Sequence, residues 1–149
     1  MMQKEILHQI LEQSKSDCSR TFKKITEENM DFRLTENTAS VGFIYRHIGE
    51  ITNSLGQFFG YETDVENTTL GQVDDGKKYS LEISGQLFET AYSTLEKLVD
   101  ETLDSAWLEE IETPWFGKIS RTRLFSITLF HNSHHCGQIA SAIVKGNKH

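Results

Sequence analysis

The sequence predicts an all-α protein, a four-helix bundle. Three observations carry that expectation. The chain has a single proline, Pro114, and long runs built from Leu, Ile, Glu, Lys, Gln and Ala, residues that favour helix over strand. Four segments repeat apolar residues at helical spacing. Serines that can cap a helix precede the later three of them.

The first helix is expected from about residue 2 into the 20s, where Ile6, Leu7, Ile10 and Leu11 recur at helical spacing. "ITEENMDFRLTENTAS" then mixes its pattern and holds many turn formers, so it reads as a connection. Ser40 or Thr38 caps the second helix. "SVGFIYRHIGEITNSLGQFFG" carries Phe43, Ile44, His47, Ile51, Ser54 and Phe58 on one side, and Gly60 closes it. "YETDVENTTLGQVDDGKKY" is polar and reads as a long loop between helices two and three. Ser80 caps the third helix, whose inward face is Phe88, Ala91, Leu95 and Leu98, through about Leu103. "SAWLEEIETPWFGKIS" reads as irregular, with Pro114 and Gly117 as breakers. Ser120 opens the fourth helix, which runs to about Lys145 with Gly146 at its end.

At 149 residues the chain is expected to form one domain spanning 1–149. No repeat, low-complexity tract or linker interrupts it. Net charge is −7, from 15 Lys+Arg against 22 Asp+Glu. No basic stripe offers phosphate contacts, which argues against nucleic acid as a partner, and against an anionic membrane surface. No apolar run approaches the roughly 20 residues of a membrane span. The N-terminus "MMQKEILHQILEQSK" has neither the apolar core nor the cleavage site of a signal peptide. Two cysteines, Cys18 and Cys136, fit a reducing compartment. A cytoplasmic location is expected.

The chemistry concentrates in "LFHNSHHCGQI". At about 100° per residue, His131 and His135 lie about 40° apart and stack on one helical face. Leu124, Ile127, Gln138 and Ala142 share that face, so both histidines are expected in the middle of the inward stripe. His134 falls about 60° to the side of His131, and Cys136 points well away. On the second helix His47 lies on the inward stripe. A buried imidazole without polar partners costs a few kcal/mol, and one shared metal would satisfy all three. Two imidazoles at i and i+4 plus a third from a facing helix make a three-nitrogen site, the zinc pattern that leaves a fourth position for water or substrate. The "HExxH" motif of metalloproteases is absent. Against this stands a plain reading in which the histidines form a core network.

These residues resemble the DinB/YfiT-like family of metal-dependent enzymes (unrelated to the translesion polymerase called DinB). Two anchors carry the resemblance: the capped helix "SVGFIYRHIGE" and the C-terminal "HNSHHCGQI". The family commonly has "HHRGQ" in the second, and here Cys136 replaces the Arg. The resemblance spans almost the whole chain, least in the middle loop. It implies a dimeric four-helix bundle holding a divalent metal on His47, His131 and His135. It implies as activities thiol-dependent S-transfer, with a low-molecular-weight thiol as co-substrate, or metal-dependent hydrolysis.

Zinc is the first expectation for the metal and nickel the second, since imidazole ligation suits both. The substrate is expected to be a small molecule. Glu50, one turn after His47, is the nearest candidate catalytic base; the competing reading is a solvated surface carboxylate. Gln138, one turn after His135, either orients that ligand or bonds backbone in the core. Cys136 reads as a small packing residue. The pairs Glu27–Glu28, Asp74–Asp75 and Glu109–Glu110 read as solvated surface. Trp107, Trp115 and Phe116 either wall the site mouth or pack the long connection, and His8 and His149 read as exposed. The alternative to an enzyme is a stress-associated, non-catalytic bundle with a structural metal or none.

Overall fold

The computed structural model describes residues 2–149. Four long helices dominate: α1 (Met2–Phe22), α2 (Val41–Phe58), α3 (Leu81–Glu101) and α4 (Arg121–Lys145). The expected caps form. Ser40, Ser80 and Ser120 each accept a hydrogen bond from the backbone N–H three residues on, at Phe43, Ile83 and Arg123, satisfying a donor the helix cannot use itself. Gly60, with φ of +98°, follows α2 in a conformation other residues rarely adopt.

α2 is the central helix. It packs on α3 and α4, while α1 closes the bundle against α3 and α4. Burial therefore extends almost all the way round it, from Val41 through Leu55, with His47 and Arg46 half-buried. α2 and α3 approach closely at Gly49, where an added Cβ would lie 2.8 Å from the Leu87 Cβ. The core is built from Leu11, Ile48, Phe88, Tyr92, Leu95, Phe125 and Ile139, among others. Each fully buried leucine contributes roughly 1.5–3 kcal/mol. No helix among the described residues is long and apolar enough to cross a membrane.

Short strands supplement the bundle where none was expected. "SAWLEEIETPWFGKIS" is a 3-10 helix (Asp104–Leu108) followed by an antiparallel hairpin of β2 (Glu110–Thr113) and β3 (Gly117–Ser120). Trp107 is buried against Phe125, while Trp115 at the hairpin tip packs edge-on against Phe58. The two-residue strand β1 (Phe32–Arg33) pairs with β4 (Asn147–Lys148), tying the first connection to the C-terminal tail. Gly146 sits at that junction, and a Cβ there would lie 2.6 Å from the Arg33 carbonyl oxygen.

The packing corrects one surface expectation and one about the inward face of α4. Asp74 is not solvated: its side chain is 3% exposed, pairs with Arg33 at 3.1 Å and accepts the Ser40 N–H at 2.7 Å. The loop between α2 and α3 folds back to reach the start of α2, which adjacency in sequence does not reveal. The other correction concerns α4. Its deeply buried residues are Leu124, Phe125, Thr128, Leu129, Asn132, Cys136, Ile139 and Ala142. Their centre lies about 85° round the helix from His131. The histidines thus flank the core face rather than centre it, and Cys136 is inside. The reason is that α4 contacts two helices, α1 and α2, so its buried arc is wider than one stripe.

Candidate metal centre

α2 and α4 pack side by side, and their contact brings His47 against His131 and His135. The ligating atoms of the three all lie within 4.8 Å of one another, and all three residues are half-buried. The ring centroids of His47 stand 5.2 Å from His131 and 4.8 Å from His135. His134, though beside His135 in the chain, is exposed and outside the group.

Each ring has its Nδ1 occupied by an oxygen acceptor. His47 Nδ1–H donates to Thr69 Oγ1 at 3.0 Å, His131 Nδ1–H to Asn132 Oδ1 at 3.1 Å, and His135 Nδ1–H to Gln138 Oε1 at 2.6 Å. The Asn132 amide is oriented by donating its Nδ2 to Tyr92 Oη at 3.2 Å, which leaves Oδ1 for His131. These acceptors place the proton on Nδ1 and the lone pair on Nε2 in all three rings. The consequence is visible between His47 and His131, whose Nε2 atoms face each other at 3.3 Å. Two lone pairs at that distance repel unless a cation or a proton lies between them. Zinc–imidazole bonds of about 2.0–2.1 Å at tetrahedral angles separate ligand nitrogens by about 3.3 Å, so the pair fits a metal.

Protonation is the weaker solution. Burial, then the neighbouring imidazoles His135 and His131, pushes the His47 pKa down to about 3. Burial is also the largest influence on His131, lowered to about 4 although its bond to Asn132 opposes the shift. Burial lowers His135 as well, against the bond to Gln138. At neutral pH all three are neutral, the form that binds metals.

Glu50 does not match the expectation of a solvated carboxylate. It is 1% exposed. Its oxygens accept from the Thr68 N–H (2.8 Å), Thr68 Oγ1 (2.7 Å) and Thr69 Oγ1 (2.8 Å), and Arg46 Nη1 stands 3.9 Å away. An unpaired carboxylate there would cost several kcal/mol, and the loop between α2 and α3 supplies the compensating donors. Thr69 then joins Glu50 to the cluster: its hydroxyl donates to Glu50 and accepts from His47. Gln138 is exposed, not a core amide bonding backbone, and its oxygen holds His135.

Sequence reasoning missed Thr68, Thr69 and Asn132. Asn132 left a trace, as a polar residue at a core angle of α4 between two candidate ligands. The threonines left none, because only the fold of the loop brings them to Glu50.

Comparisons with known proteins identify the family and the fold. The family model of the DinB superfamily matches residues 10–139. No curated protein matches the chain. Among solved structures it is similar to YfiT from Bacillus subtilis, described as a probable metal-dependent hydrolase with an unusual four-helix bundle topology. The TM-score is 0.72 at 17% identity, covering 95% of this chain and 86% of that one. At that identity the likeness shows the fold, and it is the four-helix bundle seen here. With the family model matched over most of its length, the chain belongs to the DinB superfamily.

Proposed function

We propose that this protein is a divalent-metal-dependent enzyme acting on a small molecule at His47, His131 and His135, with hydrolysis as its reaction. The facing Nε2 atoms of His47 and His131 carry this reading, because the arrangement makes chemical sense around a cation. Zinc is the first expectation and nickel the second. The metal-dependent hydrolase activity ascribed to YfiT supports the choice of reaction.

The ligand set is three neutral imidazoles, so it takes away none of the cation's charge. A divalent ion held there supplies Lewis acidity toward a water, a thiol or a substrate carbonyl. The chain's own contribution is orientation. Thr69, Asn132 and Gln138 fix the ring tautomers, and buried Glu50 fixes Thr69. Because both Glu50 oxygens are already hydrogen-bonded, the carboxylate acts as a positioning group rather than as a free base.

That last observation favours a second reading, S-transfer with a low-molecular-weight thiol. Without a free carboxylate at the cluster, the nucleophile must ionise with little help. A thiol, with an ordinary pKa of about 8.5, requires far less than water.

The deciding experiment uses protein purified without a polyhistidine tag, analysed for metal, loaded with zinc or nickel, and offered ester, amide and thiol-plus-electrophile substrates. Turnover that disappears in His131→Ala, with helical circular dichroism retained, is the expected result. Full metal content without turnover on any substrate would replace the enzyme reading with a non-catalytic bundle holding a structural metal.

A further inference from the structure

We propose that Cys18 and Cys136 form a second reactive site, a dithiol that a hydroperoxide oxidises to an intramolecular disulfide joining α1 to α4. Both cysteines are free and buried, at 1% and 6% exposure. Both line one groove of about 660 Å³ between α1 and α4, walled by Leu7, Ile10, Phe125 and Leu129. Cys136 lies about 140° round α4 from His131, so the groove opens on the other side of that helix from the histidines. A neutral, partly apolar hydroperoxide suits such a channel better than a charged oxidant.

The two cysteines belong to one core cluster and line the same groove, and each is the strongest electrostatic influence on the other. Tyr92 Oη stands 4.0 Å from Cys18 Sγ and is itself 2.7 Å from Ser14 Oγ. The neighbouring Cys136 thiol, and after it the Tyr92 hydroxyl, hold the Cys18 thiol below its ordinary range, against burial and the charge of Asp17. Thiolate character makes a cysteine nucleophilic, so Cys18 is the attacking residue and Cys136 the resolving one.

The chemistry balances in two steps. The Cys18 thiolate attacks one peroxide oxygen, the O–O bond breaks, and the departing alkoxide takes up the proton Cys18 lost, leaving a sulfenic acid. The Cys136 sulfur then attacks the Cys18 sulfur, the S–O bond breaks, and hydroxide leaves with the Cys136 proton as water. Two thiols are oxidised by two electrons, and the hydroperoxide is reduced to an alcohol and water.

The test treats the reduced, folded wild-type chain with excess tert-butyl hydroperoxide. Thiol titration after denaturation should fall from two groups to none. The intact mass should drop by two hydrogens, the Cys18 and Cys136 peptides should be cross-linked, and dithiothreitol should reverse all three changes. In Cys136→Ser, Cys18 should accumulate as a sulfenic acid that dimedone traps. Persistence of both thiols, a gain of oxygen without the cross-link, or covalent dimers would overturn the proposal. Failure of Cys18 to oxidise in Cys136→Ser would overturn its assignment as the attacking residue.

Discussion

The Nε2 atoms of His47 and His131 face each other at 3.3 Å, while the Nδ1 of each ring is tied to an oxygen of Thr69 or Asn132. Neither ring has a proton left to place between them. The arrangement is strained as a pair of neutral imidazoles and relaxed as two ligands of one cation.

Metal should stabilise the fold. A cation at 100 times its dissociation constant adds about 2.7 kcal/mol, and for a chain of this size each kcal/mol raises Tm by about 2–4 °C. Zinc added to chelator-stripped protein should therefore raise Tm by roughly 5–10 °C. The same titration on His131→Ala should give no shift. An unchanged Tm in the wild-type protein would mean that the histidines do not share an ion.

The groups behind the ligands should tune affinity without being ligands. Thr69→Val removes the acceptor of His47 and one donor to Glu50 together. Gln138→Leu removes the acceptor of His135. Losses of such partners weaken metal binding by about 10–100-fold, which competition with a chromophoric chelator would read. Helical content should hold in Gln138→Leu, because Gln138 is exposed. Affinity equal to wild type in both variants would remove these residues from the site.

Stability of the metal-free chain should fall as pH drops below 6.5. His47 and His131 have folded-state pKa values of about 3 and about 4, against an ordinary 6.5. Above 6.5 both folded and unfolded states are neutral and the full stability is present. Below it the unfolded chain takes up protons that the folded chain refuses, so stability is lost progressively until the folded pKa values are reached. Urea titrations between pH 7.5 and about 5.5 sample the upper part of this window, above the ordinary range of carboxylates. His47→Phe should flatten part of the slope, and a wild-type profile already flat there would contradict the assignment.

Gly49→Ala should destabilise the protein. The new Cβ would stand 2.8 Å from the Leu87 Cβ and 3.4 Å from the Phe88 amide nitrogen, where α2 and α3 have no slack. Overpacking of this kind costs about 1–3 kcal/mol. The midpoint of chemical denaturation measures it, and Gly137→Ala serves as the control, since nothing lies near its added Cβ.

The four helices, their serine caps at positions 40, 80 and 120, and the three histidines that meet between α2 and α4 are legible in the chain alone. These depend on local rules, the 3.6-residue period and the need of a helix end for an acceptor, which operate within a few residues. Features that depend on contacts between distant segments are legible only once the chain is folded. Glu50 reads in sequence as a surface carboxylate on a helix; only the return of the loop carrying Thr68 and Thr69 buries it and makes it a support for His47. Asp74 is buried by the same fold of the loop, through Arg33 and the start of α2. Cys136 reads as pointing away from the site, which it does, yet away from the site is into the core, because α4 has α1 on that side. Periodicity reports which residues share a face of a helix. How many faces are covered depends on the number of neighbours, and that is a property of the assembled bundle.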